Sequence, residues 1–209
     1  MAVAPAPRDL RAALLQAAED ELAESGIGSV SLRAIARRAG VSHQTPGHIF
    51  RDRAGLFTAV TQRAYDELAR ALQAGHDGVP GDDAPARLTG VGVAYVRFAL
   101  ERGALFAILS RPELSNLEDP DLAASRARPF RVLHDAVDRA VATGWGGGTA
   151  SRTLALMCWS TVHGLATLAR DGILAIDAPE ATPEELATLL STTLVRAMAG
   201  GPAGVDAPA

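Results

Sequence analysis

A chain of 209 residues, 48% of them hydrophobic, carries enough apolar material for a folded core, which excludes an intrinsically disordered protein. Its single cysteine, Cys158, excludes an intramolecular disulfide framework and any zinc-finger spacing and fits a reducing cytosol. The net charge of −4 speaks against nucleic acid only if it is averaged over the chain.

Placement reverses that average. All 20 basic residues are arginine. Residues 31–63 hold six of them (Arg33, Arg37, Arg38, Arg51, Arg53 and Arg63) against one acid, Asp52, a net +5, whereas residues 71–209 hold 11 against 16 acids, a net −5. A basic segment on an acidic body is the electrostatic footprint of a DNA reader whose second part does another job, although solvated helix faces also collect charge. The longest uncharged stretch, 153–169, has 17 residues and includes Thr, Ser and His, so it is too short and too polar for a membrane span. The start, MAVAPAPRDL, lacks a basic region followed by an apolar run, and the expected compartment is the cytoplasm.

Taken in order, almost every segment reads as helix, because Ala and Leu dominate and strand-like alternation never persists. Residues 1–7 and 200–209 read as Pro/Gly/Ala tails. A first helix over 8–25 carries Leu10, Leu14, Ala18 and Leu22 in one stripe and stops at Gly26. A short helix over 31–39 ends at Gly40, a turn of Gly40, Val41 and Ser42 follows, and another short segment runs from His43 to Phe50. A longer helix opens near Arg53 and runs to about Ala74, closed by the linker 76–85. Beyond it the pattern predicts helices near 86–102, 104–110, 124–142, 150–170 and 183–199, with breaks around 112–120 and 143–149. The last helix has a strong start signal: Thr182 as cap, Pro183 at the first position and Glu185 three residues after the cap.

The segment 31–50, SLRAIARRAGVSHQTPGHIF, carries the function. Two short helices pack at a steep angle only where the contact is small and the turn permissive, and Ala36 and Gly40 supply both. Arg33, Arg37 and Arg38 on the first helix, and Ser42, His43, Gln44, Thr45 and His48 on the second, are then left to face outward. Gln pairs with adenine, Thr touches a base edge or a thymine methyl, and His donates to guanine acceptors. Ser42, Arg33 and Arg53 are placed for phosphates. The competing reading is an ordinary turn between two helices.

From Leu10 to about Leu68 the chain resembles the tetracycline-repressor (TetR-type) family of homodimeric regulators. The resemblance rests on the first amphipathic helix, S-L-R-A-I-A-R-R-A-G-V-S, the recognition segment ending in Phe50, and R-D-R-A-G-L-F-T-A-V. It implies that Ser31, Arg33, Ser42, His43, Gln44, Thr45, His48 and Arg53 match positions that touch DNA. The pattern departs at Gly47, where the family usually has a Tyr that reaches a phosphate. With Pro46 in the first turn, the recognition helix should be short and soft.

Further on, W-x-x-V-H-G-x-A-x-L from Trp159 to Leu168 looks like the Trp-His-Gly signature of one branch of that family, and 95–106 is similar to that branch too. The resemblance implies a dimer interface built from the last two long helices and a ligand pocket enclosed by the earlier ones. The stripe Leu186, Leu189, Leu190, Leu194 and Ala197 is the expected interface, being too apolar to be left in water. Tyr95, Phe98, Phe106, Met157, Trp159 and His163 are the candidate ligand pocket, although large rings on apolar helices are more often core, and a lone His there more often a hydrogen-bonded core or interface residue.

Enzyme readings find little purchase. Ser160, His163 and Asp171 could be cast as a triad, but Ser160 and His163 are neighbours on one helix and no nucleophile elbow appears. The five histidines (43, 48, 76, 134 and 163) are scattered, so no metal site is expected, and no cofactor. WGGG at 145–148 lacks the Lys-Ser/Thr of a phosphate loop. The expectation is an all-α chain: an N-terminal three-helix helix-turn-helix domain over 8–52, joined to a larger helical ligand-binding and dimerisation domain over 53–199. Its expected partners are a pseudo-palindromic double-stranded DNA operator, a small-molecule effector and a second copy of the chain, with no membrane. The alternatives are a helix-turn-helix DNA binder without ligand response, acting as an architectural or co-regulatory protein, and, behind it, an all-helical enzyme.

Overall fold

The computed structural model describes residues 7–199. The expected tails, apart from Pro7, lie outside the described residues. Among these the elements are ten α-helices and one 3-10 turn at Pro112–Leu114: α1 (Pro7–Ser25), α2 (Leu32–Arg38), α3 (Thr45–Phe50), α4 (Arg53–Asp77), α5 (Ala84–Glu101), α6 (Gly103–Leu109), α7 (Pro120–Ala142), α8 (Ser151–Arg170), α9 (Leu174–Asp177) and α10 (Pro183–Ala199). Among the described residues no helix is long and apolar enough to cross a membrane.

The helices gather into two compact units, one of residues up to 66 with 102–126, the other of 67–101 with 127 onward. The chain position 52/53, expected as the domain boundary, falls within the first unit. Helices α4 and α7 each contribute to both.

In the first unit, α1 supplies Leu14, Ala18 and Leu22 to a core completed by Val30, Ile35, Phe50, Leu56, Phe57, Val60, Leu105 and Ile108. Glu19 of α1 is buried in this core. It is tolerated there because two guanidinium groups face it, Arg63 Nε at 2.7 Å and Arg102 Nη2 at 2.9 Å, and a buried carboxylate without such partners is costly. The segment before α7 is tied to α4 through polar contacts. Thr58 Oγ1 accepts from the Asn116 N–H at 2.9 Å and Gln62 donates to Asp119 at 3.0 Å.

In the second unit α5 packs on α8 and α10, which also pack on each other. Close approach is set by small residues. A Cβ on Gly75 or Gly90 would lie 2.5 or 2.3 Å from the other's carbonyl oxygen, and one on Gly92 would lie 2.6 Å from Ser191 Oγ. The start of α10 is a reciprocal capping box: Glu185 N–H donates to Thr182 Oγ1 at 3.2 Å, and Thr182 N–H donates to Glu185 Oε2 at 2.8 Å. Two orphan donors are thereby satisfied, as the Thr-Pro-x-Glu spacing predicts.

Candidate nucleic-acid interface

Ser31 starts α2 from an extended backbone (φ −145°, ψ 155°), its hydroxyl accepting from the Ala34 N–H at 3.1 Å. Its side chain is therefore engaged in capping. Helix α2 buries Ala34, Ile35 and Ala36, and this fixes which residues face out. Arg33 and Arg37, four apart on one face, are exposed, and their side chains have no ion-pair or hydrogen-bond partner among the described residues. Arg38 does not share that freedom. Its Nη1 donates to Glu24 at 2.9 Å and its Nε to Glu21 at 3.2 Å, strapping α2 to α1. The hydrogen bond to Glu24 raises the Arg38 pKa and lowers that of Glu24.

The end of α2 is a Schellman turn. Val41 N–H donates to Ala36 C=O at 3.0 Å, Gly40 N–H to Arg37 C=O at 3.3 Å, and Gly40 sits at φ 66°. A left-handed residue is what this motif needs, and glycine adopts it without a Cβ clash.

Helix α3 begins at Thr45, two residues later than the sequence pattern predicts, because Ser42 to Thr45 form a turn closed by Thr45 N–H to Ser42 C=O at 3.0 Å. Pro46 follows in the first helical turn, where its missing N–H costs nothing. Ser42, His43, Gln44 and His48 are exposed and Thr45 is half-buried. Gly47 is not there for space, since a Cβ on it would meet nothing within 4 Å.

The corner between α3 and α4 is tighter. Arg51 has φ 68° and ψ −63°, and Asp52 N–H donates to Phe50 C=O at 2.9 Å. This is the rarer, strained kind of γ-turn, costing a non-glycine residue about 1–3 kcal/mol. The Phe50 carbonyl comes so near α4 that a Cβ on Gly55 would lie 2.0 Å from it. Asp52 caps α4 through the Gly55 N–H at 2.8 Å. Arg53 lies across the corner. Its Nε donates to Val30 C=O and its Nη2 to Ile27 C=O, both at 3.0 Å, and its guanidinium sits 4.6 Å from the centre of the Phe57 ring. Arg53 thus pins the α1–α2 loop, which the sequence alone did not reveal.

The other sequence-predicted residues do not form one group. In the second unit Tyr95 and His163 are hydrogen-bonded (Oη to Nδ1, 2.8 Å). The Trp159 ring lies 5.6 Å from that of His163, and Phe130 meets Trp159 edge-on at 5.5 Å. Burial holds the His163 pKa below its ordinary value. Phe98 is buried on α5, whereas Met157 is 36% exposed on α8 and Phe106 belongs to α6 in the first unit. On α10, Leu190 and Ala197 are exposed and Leu186 and Leu194 half-buried, while Leu189, 60% exposed, borders an open groove with Val93, Arg97, Thr188 and Thr192. Leu156 and Leu168 add exposed apolar surface on α8. Among the described residues no group of His, Cys, Asp and Glu could hold a metal ion.

Two short helices joined by a glycine turn, with unpaired arginines beside exposed Ser, His and Gln, define a helix-turn-helix DNA-binding regulator. Residues 14–60 match the family model described as "Bacterial regulatory proteins, tetR family", and residues 88–194 match "Tetracyclin repressor-like, C-terminal domain". The chain belongs to the TetR family of transcriptional regulators. A protein of unknown function from Rhodococcus sp. RHA1 is 32% identical, with 91% of this chain and 95% of that one covered and a TM-score of 0.80. PfmR, a TetR family transcriptional regulator from Thermus thermophilus, shares the fold at 17% identity, coverage of 93% and 99% and a TM-score of 0.69. So does a TetR family transcription regulator from Marinobacter aquaeolei, at 24% identity, coverage of 90% and 97% and a TM-score of 0.66. No curated protein matches the chain in sequence. Regulators of this family are DNA-binding proteins and not enzymes. They bind operators, usually as dimers with small-molecule effectors.

Proposed function

We propose that the chain is a cytoplasmic, homodimeric repressor that reads a pseudo-palindromic operator through α2 and α3 and releases it when a small, mainly apolar molecule binds. The observation that carries the DNA assignment is the pair Arg33 and Arg37, exposed and unpaired among the described residues, beside Ser42, His43, Gln44, Thr45 and His48. Unpaired guanidinium groups bind phosphates, and the polar side chains of α3 can meet base edges. Ser31, engaged as a cap, contributes through the position it gives α2.

Dimerisation is supported by the apolar surface of α8 and α10, where Leu156, Leu168 and Leu190 lie exposed. Two recognition helices then sit about one DNA turn, ~34 Å, apart. An effector reading is supported by the polar pair Tyr95–His163 among the rings of Trp159 and Phe130. A hydrogen-bonding pair beside aromatic rings suits a ligand with few polar atoms. A ligand that favours another spacing of the recognition helices must weaken DNA binding by the same coupling factor.

A gel shift of the full chain on DNA flanking its own coding region tests the assignment, followed by titration of apolar compounds that raise its melting temperature. Specific retardation relieved by such a compound is the expected result. Retardation that no stabilising compound relieves favours an architectural DNA binder, and no retardation at all sinks the operator reading.

A further inference from the structure

We propose that Arg51 is a DNA-phosphate contact, an assignment that rests on the DNA reading above and adds to it a residue at the corner between α3 and α4. The six arginines of residues 31–63 divide into two sets. Arg38 is engaged by Glu21 and Glu24, Arg53 by the carbonyls of Val30 and Ile27, and Arg63 by Glu19. The side chains of Arg33, Arg37 and Arg51 have no hydrogen-bond or ion-pair partner among the described residues. The basic character of this segment is therefore available to an anion through these three cations.

Arg51 also stands where the backbone favours a different residue. At φ 68° and ψ −63° glycine is the unstrained choice. Its neighbours fix the turn without its help, because Phe50 is buried and Asp52 caps α4. An exposed, unpaired side chain adds nothing to the fold in return for that strain, so the strain points to a use outside the fold. One residue past the recognition helix, the matching use is a guanidinium on a phosphate oxygen. The resemblance implies that Arg53 touches DNA, and in the structure its guanidinium is engaged by the carbonyls of Val30 and Ile27.

The test compares the wild-type full-length chain with Arg51→Gly, Arg51→Gln, Arg51→Lys and Arg33→Ala on a labelled mixed-sequence duplex between about 50 and 200 mM salt. Each lost phosphate contact should lower the slope of log K against log salt by about 0.9 per protomer and weaken binding about eightfold at about 0.1 M salt. Arg51→Gly and Arg51→Gln should both show this loss and Arg51→Lys should retain most of the slope, while Arg51→Gly melts at a higher temperature than wild type. If both uncharged variants keep the wild-type slope while Arg33→Ala loses its share, Arg51 is not a contact although the DNA reading stands. Loss in Arg51→Gly but not in Arg51→Gln would place the effect in the backbone and overturn the assignment as well. A wild-type chain that binds no duplex overturns both.

Discussion

Trp145 donates its indole N–H to the backbone carbonyl of Val195 at 2.7 Å, joining the glycine loop after α7 to the last turn of α10. The next residue, Gly146, gives its N–H to Met198 C=O at 3.1 Å, one of the last four carbonyls that a helix cannot satisfy itself. A segment that reads in sequence as a break thus serves as the cap of α10. Trp145 is 3% exposed. Replacing it with Ala should cost about 3–5 kcal/mol through the cavity left behind. Replacing it with Phe should cost only about 1 kcal/mol, mainly the hydrogen bond. Urea denaturation of the two variants measures the difference, and equal costs would show that the bond, not the packing, matters.

What was legible in the sequence was local. The Thr182–Glu185 box and the Gly40 turn need only neighbours along the chain, so spacing suffices to find them. Helix α7 starts at Pro120 rather than at 124, where the sequence pattern places it, because Asp119 accepts from the Leu122 N–H at 2.8 Å, so Pro120 opens a helix and is not part of the preceding loop. The short α9 carries too few turns for a periodic signal. The partners of Arg38 and Arg53 lie 14 to 26 positions away, and which arginines remain unpaired depends on helix packing that no local pattern encodes. The strained φ of Arg51 was equally hidden, since no glycine marks it.

Two glycines of the first unit should respond in opposite ways to the same substitution. Around Gly47 there is open space, whereas a Cβ on Gly55 would lie 2.0 Å from the Phe50 carbonyl oxygen. Gly47→Ala should stabilise α3 by about 0.5–1 kcal/mol, since alanine loses less backbone freedom in a helix. Gly55→Ala must move backbone and should cost about 3 kcal/mol or more. Thermal melts of the two variants check this, and destabilisation by Gly47→Ala would mean that α3 is not helical around that position.

His163 should give the stability a pH dependence. Burial lowers its pKa below the ordinary 6.5, so the unfolded chain binds a proton more readily than the folded one. The contribution is therefore fully present above about pH 6.5 and is lost as the pH falls through the lower, folded value. Wild-type protein should lose melting temperature between about pH 7.5 and 5 by more than a His163→Gln variant does. If the two profiles run parallel, His163 does not carry this dependence.

The last expectation separates two adjacent leucines of α10. At about 3.6 residues per turn, Leu186, Leu190, Leu194 and Ala197 fall within an arc of about 80°, while Leu189 lies about 60° outside its edge. The surroundings agree with that geometry: Leu189 borders the groove with Val93, Arg97, Thr188 and Thr192, whereas Leu186 and Leu194 are half-buried beside the exposed Leu190. A surface that pairs with a second copy must be continuous and apolar, and the stripe centred on Leu190 meets that description on α10 as the exposed Leu156 and Leu168 do on α8. A carboxylate buried at such an apolar contact carries a large desolvation cost. Leu190→Glu should therefore yield a folded monomer or an unfolded chain at micromolar concentration, while Leu189→Glu stays dimeric. Sizing with light scattering gives the mass, and circular dichroism distinguishes a monomer from an unfolded chain. Wild-type protein that is itself a well-folded monomer would sink the dimer reading, and loss of the dimer in Leu189→Glu with Leu190→Glu intact would move the interface to the face of the groove.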